Sequence, residues 1–258
     1  MPQVLIVIEP AAASLPCDGL PQITQVVSAL KQAILQENQT DRMTGDRSSA
    51  SSDSLWQVRV ITTTELAAQL DAEPVTTWAQ TLLCPLTLNL PTQLRFTAEA
   101  IYQTCRSITG LRQHVEQWHY ATGDGNLWLP IVHTAKGSLY AEAIGQTSQT
   151  TSQPVATDPV YCQPIHLSDE WRQPLYELGF RLLKALNAPP AVYLIQFGIS
   201  EQTLYFDRLL PFPDLPAIAS LGIQTPDLFH CHWHCLMGKP IYDLTIAGNH
   251  PTYQMVAH

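Results

Sequence analysis

Residues 192–211 read VYLIQFGISEQTLYFDRLLP, and the fold is decided there. Val192–Phe197 is a run of β-branched, aromatic and aliphatic residues, and Thr203–Leu209 is a second run of the same kind. Both read as strands joined by a tight turn across Gly198–Gln202. Upstream, Pro174–Asn187 reads as a helix with Leu175, Leu178, Leu182 and Leu186 on one face. Pro174 suits an early helical position, and Asn187 followed by Pro189-Pro190 ends the pattern. Downstream, Thr225-Pro226-Asp227 starts another helix with Thr225 as the cap, and Gly238 stands where that helix stops.

Working outward, Val115–Tyr120 and Leu127–Val132 flank Thr122-Gly-Asp-Gly125 and are expected to form a hairpin. Ser138–Ala143 and Val160–Ile165 add short strands. The expected architecture is α+β, an antiparallel sheet with helices packed on it. The amino-terminal part alternates differently. Val4–Ile8 and Trp56–Ile61 read as strands, and Ile23–Leu35, Thr64–Leu70 and Phe96–Cys105 as helices. Leu82–Leu90, broken by prolines, has no clear type. Two polar stretches, Gln36–Ser54 and Gln146–Asp158, show no periodicity and are expected as loops, disordered or mobile. The expected division is a reduced α/β portion over residues 1–110 and a carboxyl-terminal lobe over 111–258.

Composition narrows the function classes. In 258 residues, charged side chains make up only 14%, against about 25% in an ordinary globular protein. The formal charge is −9 with 13 basic residues spread along the chain, so no basic stripe exists for a nucleic-acid backbone. No apolar run is long enough for a membrane span, and Met1–Ile8 lacks the basic start of a leader. Six cysteines in a chain of this length are too sparse for a disulfide framework. They read as reduced, and the cytoplasm is the expected compartment.

From about Val115 to Ile241 the chain resembles ATP-grasp enzymes, specifically the ATPase subunit of phosphoribosylaminoimidazole carboxylase (carboxyaminoimidazole ribonucleotide synthetase). Four stretches match in order. Gly123–His133 (GDGNLWLPIVH) with Gly137-Ser-Leu139 resembles the family's glycine-turned segment leading to a strand. Cys162–Asn187 resembles its helix crossing to the core sheet. Tyr193–Pro211 resembles the hairpin that presents magnesium ligands, and Ser220–Ile241, with Phe229, His232 and Lys239-Pro240-Ile241, resembles its final helix.

The resemblance implies a nucleotide site at Gln196, Asp207 and Arg208, with ATP and magnesium as the ligands and Asp207 as a metal ligand. It also implies departures. ATP-grasp chemistry makes an acyl phosphate, and magnesium held by hard oxygen ligands must neutralise the transferring group. Here Ile195-Gln196-Phe197 carries no acid, and Arg208 stands where a metal-binding glutamate belongs. Pro211-Phe-Pro-Asp-Leu-Pro-Ala-Ile218 replaces a stretch of arginine and histidine anion donors. Before residue 115 the one lysine is Lys31, and no glycine-rich loop follows Val4–Pro10.

The expectation is therefore a non-catalytic ATP-grasp-like protein that binds a nucleotide or small ligand, or serves as a partner-binding subunit, with homodimerisation implied by the family. One alternative is an ATP-dependent carboxylate-amine ligase of purine biosynthesis, using Asp207 with Glu142, Asp214 or Glu201 as compensating acids. A second is a metal- or thiol-binding module in His230-Cys-His-Trp-His-Cys235. On a helix Cys231 and Cys235 share a face, and with His234 they offer soft ligands for zinc or copper. His119, His133 or His166 would be the distant ligand.

Overall fold

The computed structural model describes residues 2–10, 21–43, 56–72, 81–147, 159–247 and 253–254. Contacts divide the chain into two units, Met1–Glu99 and Ala100–His258.

In the first unit β1 (Gln3–Ile8) is the middle of a three-stranded parallel sheet, between β2 (Gln57–Thr62) and β3 (Thr81–Pro85). Val4, Leu5, Ile6 and Val7 are all buried, the continuous apolar run expected of a strand covered on both faces. Leu5 and Val7 pack with Ile61, Leu66 and Leu94. Two helices connect the strands, α1 (Pro21–Met43) and α2 (Thr63–Ala72). Helix α1 buries Val26, Leu30, Ala33 and Ile34 along one stripe.

Helix α1 also corrects the first loop expectation, because Gln36–Met43 continue it. Gln and Glu favour a helix once one is nucleated. Asn38 then ties the helix to Trp56, its side-chain amide donating to the Trp56 carbonyl at 3.3 Å while the Trp56 N–H donates to Asn38 Oδ1 at 3.4 Å. Residues 44–54 of that expected loop lie outside the described residues.

The second unit contains α3 (Glu99–Arg106), α4 (Ile108–Glu116), β4 (Ala121–Thr122), β5 (Leu127–Thr134), β6 (Gly137–Tyr140), β7 (Ala143–Thr147) and β8 (Val160–His166). Then come α5 (Asp169–Ala185), β9 (Ala191–Ser200), β10 (Thr203–Leu210), a 3-10 turn (Leu215–Ser220), β11 (Gln224–Thr225), α6 (Leu228–Leu236), β12 (Thr245–Ile246) and β13 (Tyr253–Gln254). One sheet runs β13-β8-β7-β5-β9-β10-β4, with β6 paired to β5. Its central pairs are antiparallel, and only the short edge strands β4 and β13 pair in parallel. The expected α+β lobe is therefore present.

Three local expectations change. Val115–Tyr120 is not a strand: α4 runs to Glu116, capped by the Ser107 hydroxyl, which accepts from the Gly110 amide at 3.3 Å. Leu111 and Val115 face inward at helical spacing, so the expected hairpin across Thr122–Gly125 does not form, and β4 pairs with β10 instead. Helix α5 starts at Asp169, leaving Pro174 inside it. Gln146 and Thr147, expected in the second loop, end β7, and residues 148–158 lie outside the described residues.

The cap of helix α6 is Asp227 rather than Thr225. The Asp227 carboxylate accepts from the Phe229 amide at 2.9 Å and the His230 amide at 3.0 Å, which are otherwise orphan donors. At its other end Lys239 N–H reaches the His234 carbonyl and Gly238 N–H the Cys235 carbonyl, with Gly238 at φ +65°. That is a glycine-terminated Schellman arrangement.

His232 joins this helix to the sheet, accepting the Val192 amide at its Nδ1 (3.2 Å) while only 2% exposed. Burial disfavours the imidazolium and drops the pKa from 6.5 to about 3. The unfolded chain therefore binds the proton first as pH falls below about 6.5, and the stability this neutral histidine provides is lost between there and pH 3. The expected loss is about 2 kcal/mol by pH 5. Urea unfolding at pH 7.5 and pH 5 should show that increment in the parent chain and its absence in His232→Asn.

Candidate functional site

The antiparallel ladder of β9 and β10 slips by one residue between Phe206 and Arg208, a β-bulge that leaves Asp207 as the extra residue. Phe206 stays opposite Phe197, and Arg208 faces Gln196. The bulge turns the Asp207 side chain inward, to 2% exposure. A carboxylate so placed needs donors, and it has three. Arg112 Nη2 and Arg208 Nε donate to Oδ1 at 2.8 and 3.1 Å, and the Gly125 amide donates to Oδ2 at 3.1 Å.

Arg112, on α4, is the centre of this cluster. Its Nε donates to the Asp207 backbone carbonyl at 3.0 Å, and Nη2 also reaches the Gly123 carbonyl at 3.1 Å and Asp124 Oδ1 at 2.8 Å. The Asp124 and Asp207 carboxylates raise the guanidinium pKa further, and the same contact holds the exposed Asp124 carboxyl below its ordinary value.

The segment Gly123–Gly125 crosses β9 at backbone contact. A Cβ on Gly125 would lie 2.1 Å from the Phe197 carbonyl carbon, and one on Gly198 would lie 3.0 Å from the Asp124 carbonyl oxygen. Gln196 Nε2 donates to the Gly125 carbonyl at 2.6 Å, so both peptide groups of that glycine are held. The residues expected around a nucleotide, Gln196, Asp207 and Arg208, are thus brought together. Gln196 Nε2 and Asp207 Oδ2 are spent on this crossing, and Arg208 gives its Nε to Asp207 Oδ1.

Sequence reading missed Arg112, Asp124 and the role of Gly125. The available signal was the Leu111/Val115 spacing, which defines a helix carrying Arg112.

The other expected residues are dispersed. Glu142 lies 3.5 Å from His166 and 3.7 Å from Arg172. Glu201 sits at φ +47° in the β9–β10 turn, with Gln202 at +64°, the backbone of a two-residue hairpin turn. Asp214 precedes the 3-10 turn. Phe212 is buried and stacks on Tyr102 with centroids 5.8 Å apart.

The metal or thiol cluster is not assembled. Among the described residues no three His, Cys, Asp or Glu side chains group so as to hold a metal ion. Cys231 and Cys235 are buried, His234 is partly exposed, and Cys231 Sγ donates to the Pro226 carbonyl at 3.4 Å. Burial raises both thiols, Cys235 to about 12, which opposes the thiolate a metal needs. The cysteines of the described residues are all free.

No protein-family model and no curated protein matches the sequence. Solved structures do match the fold. Glycinamide-RNase-transformylase T from Mycobacterium tuberculosis aligns at TM-score 0.59 and 13% identity, covering 93% of this chain and 80% of that one. N5-carboxyaminoimidazole synthase from Aspergillus clavatus, in complex with ADP and 5-aminoimidazole ribonucleotide, aligns at 0.56 and 10%, covering 93% and 78%. L-amino acid ligase from Bacillus licheniformis aligns at 0.55 and 9%, covering 92% and 74%. The chain has the ATP-grasp-like fold of these enzymes. Among the described residues no helix is long and apolar enough to cross a membrane.

Two outcomes follow from the cluster. Arg112→Met removes one of the two guanidinium donors of a buried carboxylate and is expected to cost about 2–3 kcal/mol, much of it recovered when Asp207→Asn is added. A double-mutant cycle in urea checks this. Gly125→Ala forces backbone apart and should cost about 3 kcal/mol or more in the same measurement.

Proposed function

We propose that this chain is a non-catalytic ATP-grasp-like protein, which binds a nucleotide or another small ligand without magnesium. The observation that carries the reading is the state of Asp207. Phosphoryl transfer is almost entirely positioning and charge neutralisation, and it needs carboxylate oxygens free to face a metal. Asp207 is the single acid in the two central strands of the expected hairpin site, and its oxygens accept from Arg112, Arg208 and the Gly125 amide. Arg208 adds a fixed positive charge where a second metal-binding oxygen would be required. A partner-binding role, as a homodimer or with another protein, and a cytoplasmic location belong to the same reading.

The kinship of fold favours the alternative, an ATP-dependent ligase of purine biosynthesis, and one experiment separates the two. Melting temperature is followed against ATP and ADP, in EDTA and in magnesium, since a ligand that binds the folded state raises stability by mass action. The expected result is the same nucleotide-dependent shift with and without the metal. A shift that requires magnesium and disappears in Asp207→Asn would establish the ligase reading instead.

A further inference from the structure

A serine becomes a nucleophile when a base stands at hydrogen-bond distance and a third group fixes that base. Strands β5 and β6 place such a pair. His133 and Ser138 lie opposite each other in the antiparallel ladder, and His133 Nδ1 is 2.8 Å from Ser138 Oγ. The register explains the approach. The Ala141 amide donates to the Pro130 carbonyl at 3.0 Å, so Pro130, Val132 and Thr134 turn their backbone groups to the β6 side. His133 and Ser138 therefore form a non-hydrogen-bonded pair, the kind in which facing side chains come closest. The same alternation points the Ser138 N–H away from β5, to the outer side of β6, where no strand of the described residues pairs.

The imidazole is held from behind. Its ring meets the buried Tyr193 edge-on, with centroids 6.3 Å apart, and the Tyr193 hydroxyl donates to the Pro189 carbonyl at 2.6 Å. The ring is also hydrogen-bonded to the Ala188 backbone in the sense that favours its proton, so the Ala188 carbonyl is the acceptor. That residue is itself fixed, its amide donating to the Leu183 carbonyl at 2.9 Å. With the ring proton committed there, Nδ1 keeps its lone pair and the Ser138 hydroxyl is the donor. Burial holds His133 below the ordinary histidine range, so the ring is a neutral base at pH 7. Both side chains are partly exposed.

We propose that Ser138 and His133 form a nucleophilic dyad that takes the acyl group of an activated ester. Ser138 Oγ bonds to the acyl carbon while its proton passes to His133 Nδ1. The bond to the leaving oxygen breaks with its electron pair, and Nδ1 returns the proton to that oxygen. Water attacks the acyl-serine by the same route and releases the acid. The outward Ser138 N–H is a backbone donor for the carbonyl oxygen as it gains charge. None of this uses Asp207, Arg112 or Arg208, so it goes beyond the ligand-binding reading and stands or falls without it.

The first probe is an alkyl phosphonofluoridate, from which fluoride leaves as the Oγ–P bond forms. Peptide mapping of the parent chain is expected to place one phosphonyl group on Ser138, and Ser138→Ala should stay unlabelled. His133→Asn keeps a polar group beside Ser138 but no base, and should slow labelling about a hundredfold or more. A merely structural hydrogen bond would instead lower the melting temperature of that variant and leave the rate unmoved, so both are measured. The second probe is 4-nitrophenyl acetate, whose nitrophenol the parent should release faster than Ser138→Ala does. No label on Ser138, equal labelling rates in the parent and His133→Asn, or equal nitrophenol release by the parent and Ser138→Ala overturns the proposal.

Discussion

A carboxylate removed from water must be given hydrogen-bond donors, and the second unit is arranged around that requirement at Asp207. Arg112 meets it from α4, Arg208 from the next residue of the strand, and the Gly125 amide from the segment crossing above β9. These three donors come from separate parts of the chain, so one side chain ties a helix, a crossing and a hairpin together. A surface ion pair would contribute little, but this carboxylate is 2% exposed, and a charge pair at that depth is costly to break.

The same arrangement sets where the Asp207 oxygens point: Oδ1 accepts from Arg112 and Arg208, and Oδ2 from the Gly125 amide. Gln196 likewise gives its amide to the Gly125 carbonyl rather than to solvent. The glycines are part of this use: side chains at Gly125 or Gly198 would separate the two backbones that the polar network joins.

Much of the architecture was legible because it depends on local pattern. The β9–β10 hairpin, α5, α6 and the buried β1 follow from runs and spacings of apolar residues, which each segment carries within itself. The failures share a cause. Val115–Tyr120 looked extended because it precedes the turn residues Thr122-Gly-Asp-Gly125, whereas burial of Leu111 and Val115 at helical spacing goes with the helix. Gln36–Met43 looked like loop because polar residues carry no periodicity, whereas the tie between Asn38 and Trp56 is long-range. Thr225 looked like the cap, but the Asp227 carboxylate is the group that meets the helix amides.

The candidate site was half legible. Gln196, Asp207 and Arg208 could be named through the resemblance to ATP-grasp enzymes, which leads one to expect acids where Ile195-Gln196-Phe197 and Arg208 stand. What Asp207 does could not, because its partners lie far away in sequence and reach it through a one-residue bulge. By itself the sequence determined which segments become strands and helices and which chemical groups stand at the hairpin. Only the tertiary structure decided which donors meet Asp207, and that among the described residues Cys231, His234 and Cys235 do not form a metal-holding group. The physical reason is that a charged group's role is set by the donors and solvent around it, and those are brought together by folding.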